Sequence, residues 1–146
     1  MRRIGWRGVV LASLSLLLPV AVGACDSSTG STTTPTTPDT ASVTETFSDT
    51  VRRSGSKAFA FTQAASGTIT IGLNSVSPLS TMALGVAIGS WSDPTCTTIT
   101  RNDNARAGAT AITGTAAAGN YCILVYDSGN VPADWTVTYA VQVEHY

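Results

Sequence analysis

Trp135-Thr136-Val137-Thr138-Tyr139-Ala140-Val141-Gln142-Val143-Glu144 is the stretch that decides the fold. Trp135, Val137, Tyr139, Val141 and Val143 fall on one parity, and Thr136, Thr138, Gln142 and Glu144 on the other. Successive side chains of a strand point to opposite faces, so a period of two means a β-strand with one buried face. Trp135 opens the apolar series and reads as core.

The same period recurs upstream. Phe59 and Phe61 alternate with Ala58, Ala60 and Thr62, and Ile69, Ile71 and Leu73 alternate with Thr68, Thr70 and Gly72. Met82, Leu84, Val86 and Ile88 alternate with Ala83, Gly85 and Ala87. Tyr121, Ile123 and Val125 alternate with Cys122, Leu124 and Tyr126, a strand apolar on both faces. Turn signals separate these runs: Ser54-Gly55, Ser66-Gly67, Ser77-Pro78, Asp93-Pro94, Gly119-Asn120, Ser128-Gly129-Asn130 and Val131-Pro132. The Ala-rich piece Ala105–Ala118 carries Thr110, Thr113 and Thr115 with Gly108 and Gly114, which suits a strand and turn rather than a helix. No window holds a helical period. The expectation is an all-β, two-layer antiparallel β-sandwich of about eight strands over residues 43–146.

Ahead of these runs the chain changes character twice. Arg2, Arg3 and Arg7 precede an uncharged segment, Gly8 to Ala24, whose centre is Val9-Val10-Leu11-Ala12-Ser13-Leu14-Ser15-Leu16-Leu17-Leu18. A basic start, an apolar centre and small residues before a cut are the layout of a secretory signal. The apolar part falls short of the ~20 residues of a spanning helix, and Pro19 interrupts it. Val22-Gly23-Ala24-Cys25 resembles the lipobox of bacterial lipoproteins, which implies that residues 1–24 are a signal peptide and that Cys25 becomes a lipidated N-terminus. The plainer alternative is an ordinary signal peptide cut nearby. Acyl chains on Cys25 would anchor the chain to a membrane, each buried methylene contributing about 0.8 kcal/mol. The expected location is the bacterial cell envelope, facing the periplasm or the cell surface. Asp26 to Ser42, DSSTGSTTTPTTPDTAS, holds nothing larger than Ala to bury and reads as a disordered tether reaching roughly 20–25 Å.

The chain has three cysteines. Lipidation of Cys25 leaves Cys96 and Cys122 to pair, in a compartment where a disulfide persists. Closing that loop would stabilise the fold by roughly 3–4 kcal/mol on the chain-entropy model. A metal site competes poorly, because two isolated cysteines and one distant histidine lack ligand spacing. Charge narrows the partners. Eight Lys and Arg stand against nine Asp and Glu, and three of the arginines would leave with the signal peptide. The remaining basic group, Arg52-Arg53-Lys57, reads as a solvated loop or strand edge, and nucleic acid is not an expected partner.

Several segments together resemble the bacterial pre-peptidase C-terminal domain family. They are Glu45–Val51, Lys57–Thr62, Gly67–Ile71, Ala118–Tyr126 with its Gly-Asn-Tyr opening, and the closing strand Trp135–Val143. The resemblance covers residues 43–146. It implies a jelly-roll-like sandwich, usually an accessory module on secreted enzymes and often one that binds carbohydrate or protein. Some relatives bind calcium through clustered acids near the domain entrance, where this sequence offers only Glu45 and Asp49.

Catalytic chemistry finds no footing in the sequence. His145, the single histidine, sits beside the C-terminal residue and reads as a frayed side chain. Ser54-Gly55-Ser56-Lys57 matches S-x-x-K formally but lies in a turn without companion motifs. Asn102-Asp103-Asn104 and Asp127-Ser128-Gly129-Asn130 lack calcium-loop spacing and read as turns. Neither a metal nor another cofactor is expected.

Binding is better served by the aromatics. Trp91, in Gly89-Ser90-Trp91-Ser92-Asp93-Pro94, and Tyr126, before a Gly-Asn loop, are candidate rings for stacking on a sugar. The alternative for Trp91 is that it covers the end of the core beside Cys96. The expected function is a non-catalytic binding module for polysaccharide or protein at the cell envelope. The alternative is a structural or assembly subunit of an envelope complex, and a small hydrolase comes last.

Overall fold

A computed structural model describes residues 41–146. The segment read as a signal peptide, Cys25 and most of the segment read as a tether lie outside the described residues. Eight strands follow one another: β1 Val43–Arg52, β2 Ser56–Gln63, β3 Gly67–Ser77, β4 Leu84–Ser92, β5 Thr95–Ala105, β6 Ala109–Ala116, β7 Gly119–Tyr126 and β8 Thr136–His145. They form two antiparallel four-stranded sheets, ordered β1-β8-β3-β6 and β2-β7-β4-β5. Consecutive strands change sheet at every connection but β4–β5, and this order is that of a jelly roll.

The alternation read from the sequence dictates the core. Val141 and Val143 of β8 are fully buried and meet Leu73 and Ile71 of β3 within their sheet, and the equally buried Val137 meets Val51 of β1. Leu84, Val86, Ile123 and Val125 supply the facing layer. The central strands β4 and β7 bury residues of both parities, as expected for β7 from its two apolar faces. On β4 the second face is small: Gly85, Ala87 and Gly89 are covered from outside. Opposite Gly85 the Tyr126 ring lies so close that an added Cβ would fall 2.2 Å from it.

Cys96 and Cys122 form a disulfide with a Cα separation of 5.9 Å. The two cysteines stand on β5 and β7, the strands flanking β4. Unbent strands two places apart would be separated by roughly 9–10 Å. A register shift at Ile88/Gly89 folds β5 over β4, and a Cβ on Gly89 would sit 2.3 Å from the Thr97 carbonyl oxygen and 3.1 Å from Cys122 Sγ. Glycine at 89 is therefore what allows the crossing.

Three sequence expectations need correction. Trp135 is not core: it is 39% exposed and stands one residue ahead of β8, its amide held by the Pro132 carbonyl at 3.1 Å. The turn ends there, so the parity of the strand does not extend back to it. His145 is not frayed: it is 3% exposed, continues the inward parity of β8, and places Nε2 2.9 Å from Glu45 Oε1, with its ring 5.0 Å from that of Phe61. Asn102–Asn104 is not a turn but the bulged part of β5, opposite Gly85.

Candidate functional site

The loops joining β3 to β4, β5 to β6 and β7 to β8 meet at one end of the sandwich. Between them lies a depression of about 290 Å³ lined by Leu79, Thr81, Met82, Ala83, Asn104, Arg106, Asn130, Pro132 and Trp135. Trp135 also borders a second depression with Arg52, Ala133, Asp134 and Thr136. The indole is thus accessible at a place where apolar and hydrogen-bonding groups converge.

The loops are held from below. Asp127 directly follows β7 and accepts four backbone amides: Gly129, Asn130 and Val131 on Oδ1 at 2.8, 2.9 and 3.0 Å, and Ser54 on Oδ2 at 2.9 Å. This is the turn expected from Asp127-Ser128-Gly129-Asn130, with Gly129 at φ 97°. Burial pushes the Asp127 carboxyl up, but the four amides outweigh it and hold the group below the ordinary carboxylate range. Val131 is buried and ties the loop to the core.

Two polar linings are pinned to the opposite loop. Asn130 Nδ2 donates to the Ala83 carbonyl at 3.2 Å, and an Arg106 guanidinium nitrogen donates to the Thr81 carbonyl at 2.9 Å. A guanidinium has five N–H donors, so Arg106 keeps most of them free for a ligand. Among the described residues the Asn104 side-chain amide makes no hydrogen bond, and its own backbone amide is capped by Asn102 Oδ1 at 2.9 Å. The site therefore offers a partly exposed indole, the apolar Leu79, and amide and guanidinium groups on a braced frame.

The two aromatics singled out from sequence do not form one site. Tyr126 pairs with Gly85 at the start of β4, and Trp91 lies six positions further along, opposite Cys96. At strand rise that is about 20 Å. Trp91 is partly buried at the far end, next to the disulfide strand. Tyr126 belongs to the loop end but is already engaged. Its ring covers Gly85 and its hydroxyl donates to Asp103, whose other oxygen is 3.5 Å from Arg101 Nε. Burial first, and the Asp103 hydrogen bond second, push the phenol up to about 12.

Sequence reasoning read Trp135 as core and missed its exposed place at the loop end. The available signal was Pro132-Ala133-Asp134 directly before it, a turn-forming run that ends the loop on the tryptophan. Elsewhere, Ser54 has φ 57° in the β1–β2 turn and Lys57 pairs with Asp49 at 3.5 Å, so S-x-x-K is a turn followed by an edge strand. Among the described residues, no three His, Cys, Asp or Glu side chains come together as a metal site. No family model matches the chain, and no characterised protein matches it.

Proposed function

We propose that this protein is a lipid-anchored, non-catalytic binding module of the bacterial cell envelope, with a polysaccharide as its ligand. The observation that carries the ligand class is Trp135: an indole on a braced loop end, beside Asn104, Arg106 and Asn130. An aromatic ring packs against the C–H face of a sugar while planar amide and guanidinium groups bond its hydroxyls. The resemblance of residues 43–146 to pre-peptidase C-terminal domains supports the reading, and so does the jelly-roll order of the strands. In this reading Cys25 carries the anchor, residues 26–42 are the spacer, and the loop end is the binding surface. Trp91 becomes a cover for the strand end beside the disulfide rather than a ligand residue.

Residues 41–146 contain all eight strands and the whole buried cluster, so this stretch is the folding unit to test. Co-sedimentation with peptidoglycan, chitin, cellulose and other insoluble glycans should show retention on one polymer. Trp135→Ala should weaken it at least tenfold, about 1.4 kcal/mol or more, without lowering the melting temperature, and Trp91→Ala should leave it unchanged. Retention on none of the polymers overturns the polysaccharide reading. Anchoring is tested separately: full-length protein should take up labelled palmitate, and Cys25→Ser should abolish the label.

A further inference from the structure

Four strands form the lateral edges: β1 and β6 in one sheet, β2 and β5 in the other. An unpaired edge presents backbone donors and acceptors to any other strand, and proteins blunt such edges with charge, proline or bulges. β1 carries Glu45, Asp49 and Arg52, β2 carries Lys57, and β5 carries Arg101, Asp103 and two register shifts. β6 reads Ala-Thr-Ala-Ile-Thr-Gly-Thr-Ala, with neither charge nor proline. Its one irregularity sits at Ala111, whose carbonyl accepts Asn102 Nδ2 at 2.9 Å. Just past β6, the Ala117 carbonyl accepts the Tyr121 hydroxyl at 3.1 Å. Between these two caps, Ile112–Ala116 has no strand on its outer side among the described residues.

The sandwich is open on the same side. Ile69, Ile88, Ile112 and Tyr121 line an apolar cleft of about 350 Å³ between the β5 and β6 edges. Ile99 stands at its rim and is 64% exposed, the most exposed of the large hydrophobic residues. Thr113 and Thr115 lie opposite Thr70 and Thr68, are exposed, and border the same cleft along the β6 edge.

We infer that this side binds a second copy of the chain through antiparallel β6–β6 pairing about a two-fold axis at Gly114. A free strand edge is completed by a strand, and the Ile112–Ala116 window is itself an uncharged strand of the right kind. Centred on Gly114, the pairing sets Ile112 opposite Ala116 of the other copy, and Thr113 opposite Thr115. No charge meets a like charge, and Thr–Thr pairs are favourable cross-strand neighbours. A two-fold interface must be self-complementary. This one is, because the axis brings the two apolar clefts face to face and withdraws each exposed Ile99 from water against its equivalent. No added methyl obstructs the axis, since Gly114 has open space around its missing side chain.

Sedimentation velocity on residues 41–146 over a concentration series tests the inference, with circular dichroism melts as the check on folding. The wild type should form a concentration-dependent dimer. Combining Thr113→Lys with Thr115→Lys places like charges opposite each other twice and should weaken the dimer at least about tenfold. Combining Thr113→Lys with Thr115→Glu places opposite charges there and should restore it. Ile99→Ser should weaken it independently. A wild type that stays monomeric near ~1 mM overturns the inference. So does a dimer that both Thr113→Lys combinations leave intact, or one that the Lys–Glu combination fails to restore.

Discussion

Replacing Gly89 by alanine tests the least expected contact in the fold. The added Cβ would lie 2.3 Å from the Thr97 carbonyl oxygen, 2.7 Å from its carbonyl carbon and 3.1 Å from Cys122 Sγ. Normal contact distances start above 3 Å, and the nearest obstacle is backbone, which has no rotamer to escape into. To admit the methyl, β5 has to lift off β4 at the register shift, taking its hydrogen bonds and Cys96 with it. Overpacking of this kind costs typically 1–3 kcal/mol, and a backbone obstacle places it at the upper end, about 3 kcal/mol. For a domain of roughly 100 residues that lowers the melting temperature by about 10–20 °C. Urea unfolding at pH 7 should show a lower midpoint at an unchanged slope. Gly114→Ala is the control: nothing lies within 4 Å of its Cβ, so the change should be neutral or stabilising by up to about 1 kcal/mol. The two obstacles are separable as well. With Cys96→Ala and Cys122→Ala in the background, the Thr97 clash remains, so most of the Gly89→Ala cost should persist. A Gly89→Ala protein within ~0.5 kcal/mol of wild type would refute the close crossing of β5 over β4.

Two further outcomes follow from the same geometry. The carboxyl of Asp127 is held below its ordinary range, so its stabilising contribution is complete above the unfolded pKa and is lost as pH falls through the lowered folded value. Asp127→Ala should cost about 2 kcal/mol at pH 7, and Asp127→Asn should flatten the acid limb of a stability profile between pH 6 and 2. Reducing Cys96–Cys122, whose sequence separation is 26, should lower stability by roughly 3 kcal/mol, read as a midpoint shift with and without a thiol reductant.

Much of the candidate site was hidden in the sequence, and the reason lies in what periodicity encodes. Alternation assigns a side chain to a face only within a strand, and Trp135 carries the parity of Val137 while standing outside β8. The same parity rule, trusted one residue further at the other end, would have buried His145 correctly. Tyr126 is close to the loop end but committed to Gly85 and Asp103, partners that lie 41 and 23 residues away and that no local pattern announces. Residues 95–105 lacked a readable strand because β5 is largely exposed and interrupted by bulges, so hydrophobic alternation had little to act on.

By itself the sequence determined the class of fold, most of the strands and their buried faces, the pairing of Cys96 with Cys122, and the turn at Asp127. Each rests on a local rule: the period of two, the preference of Asp, Asn and Gly for turns, and the arithmetic of three cysteines. Tertiary structure alone decided the jelly-roll order, the folding of β5 over Gly89, the gathering of Trp135 with Asn104, Arg106 and Asn130, and the bare edge of β6. These join residues tens of positions apart. They follow from which sheet each strand enters and where it bulges, and that is settled only when the two layers close on a common core.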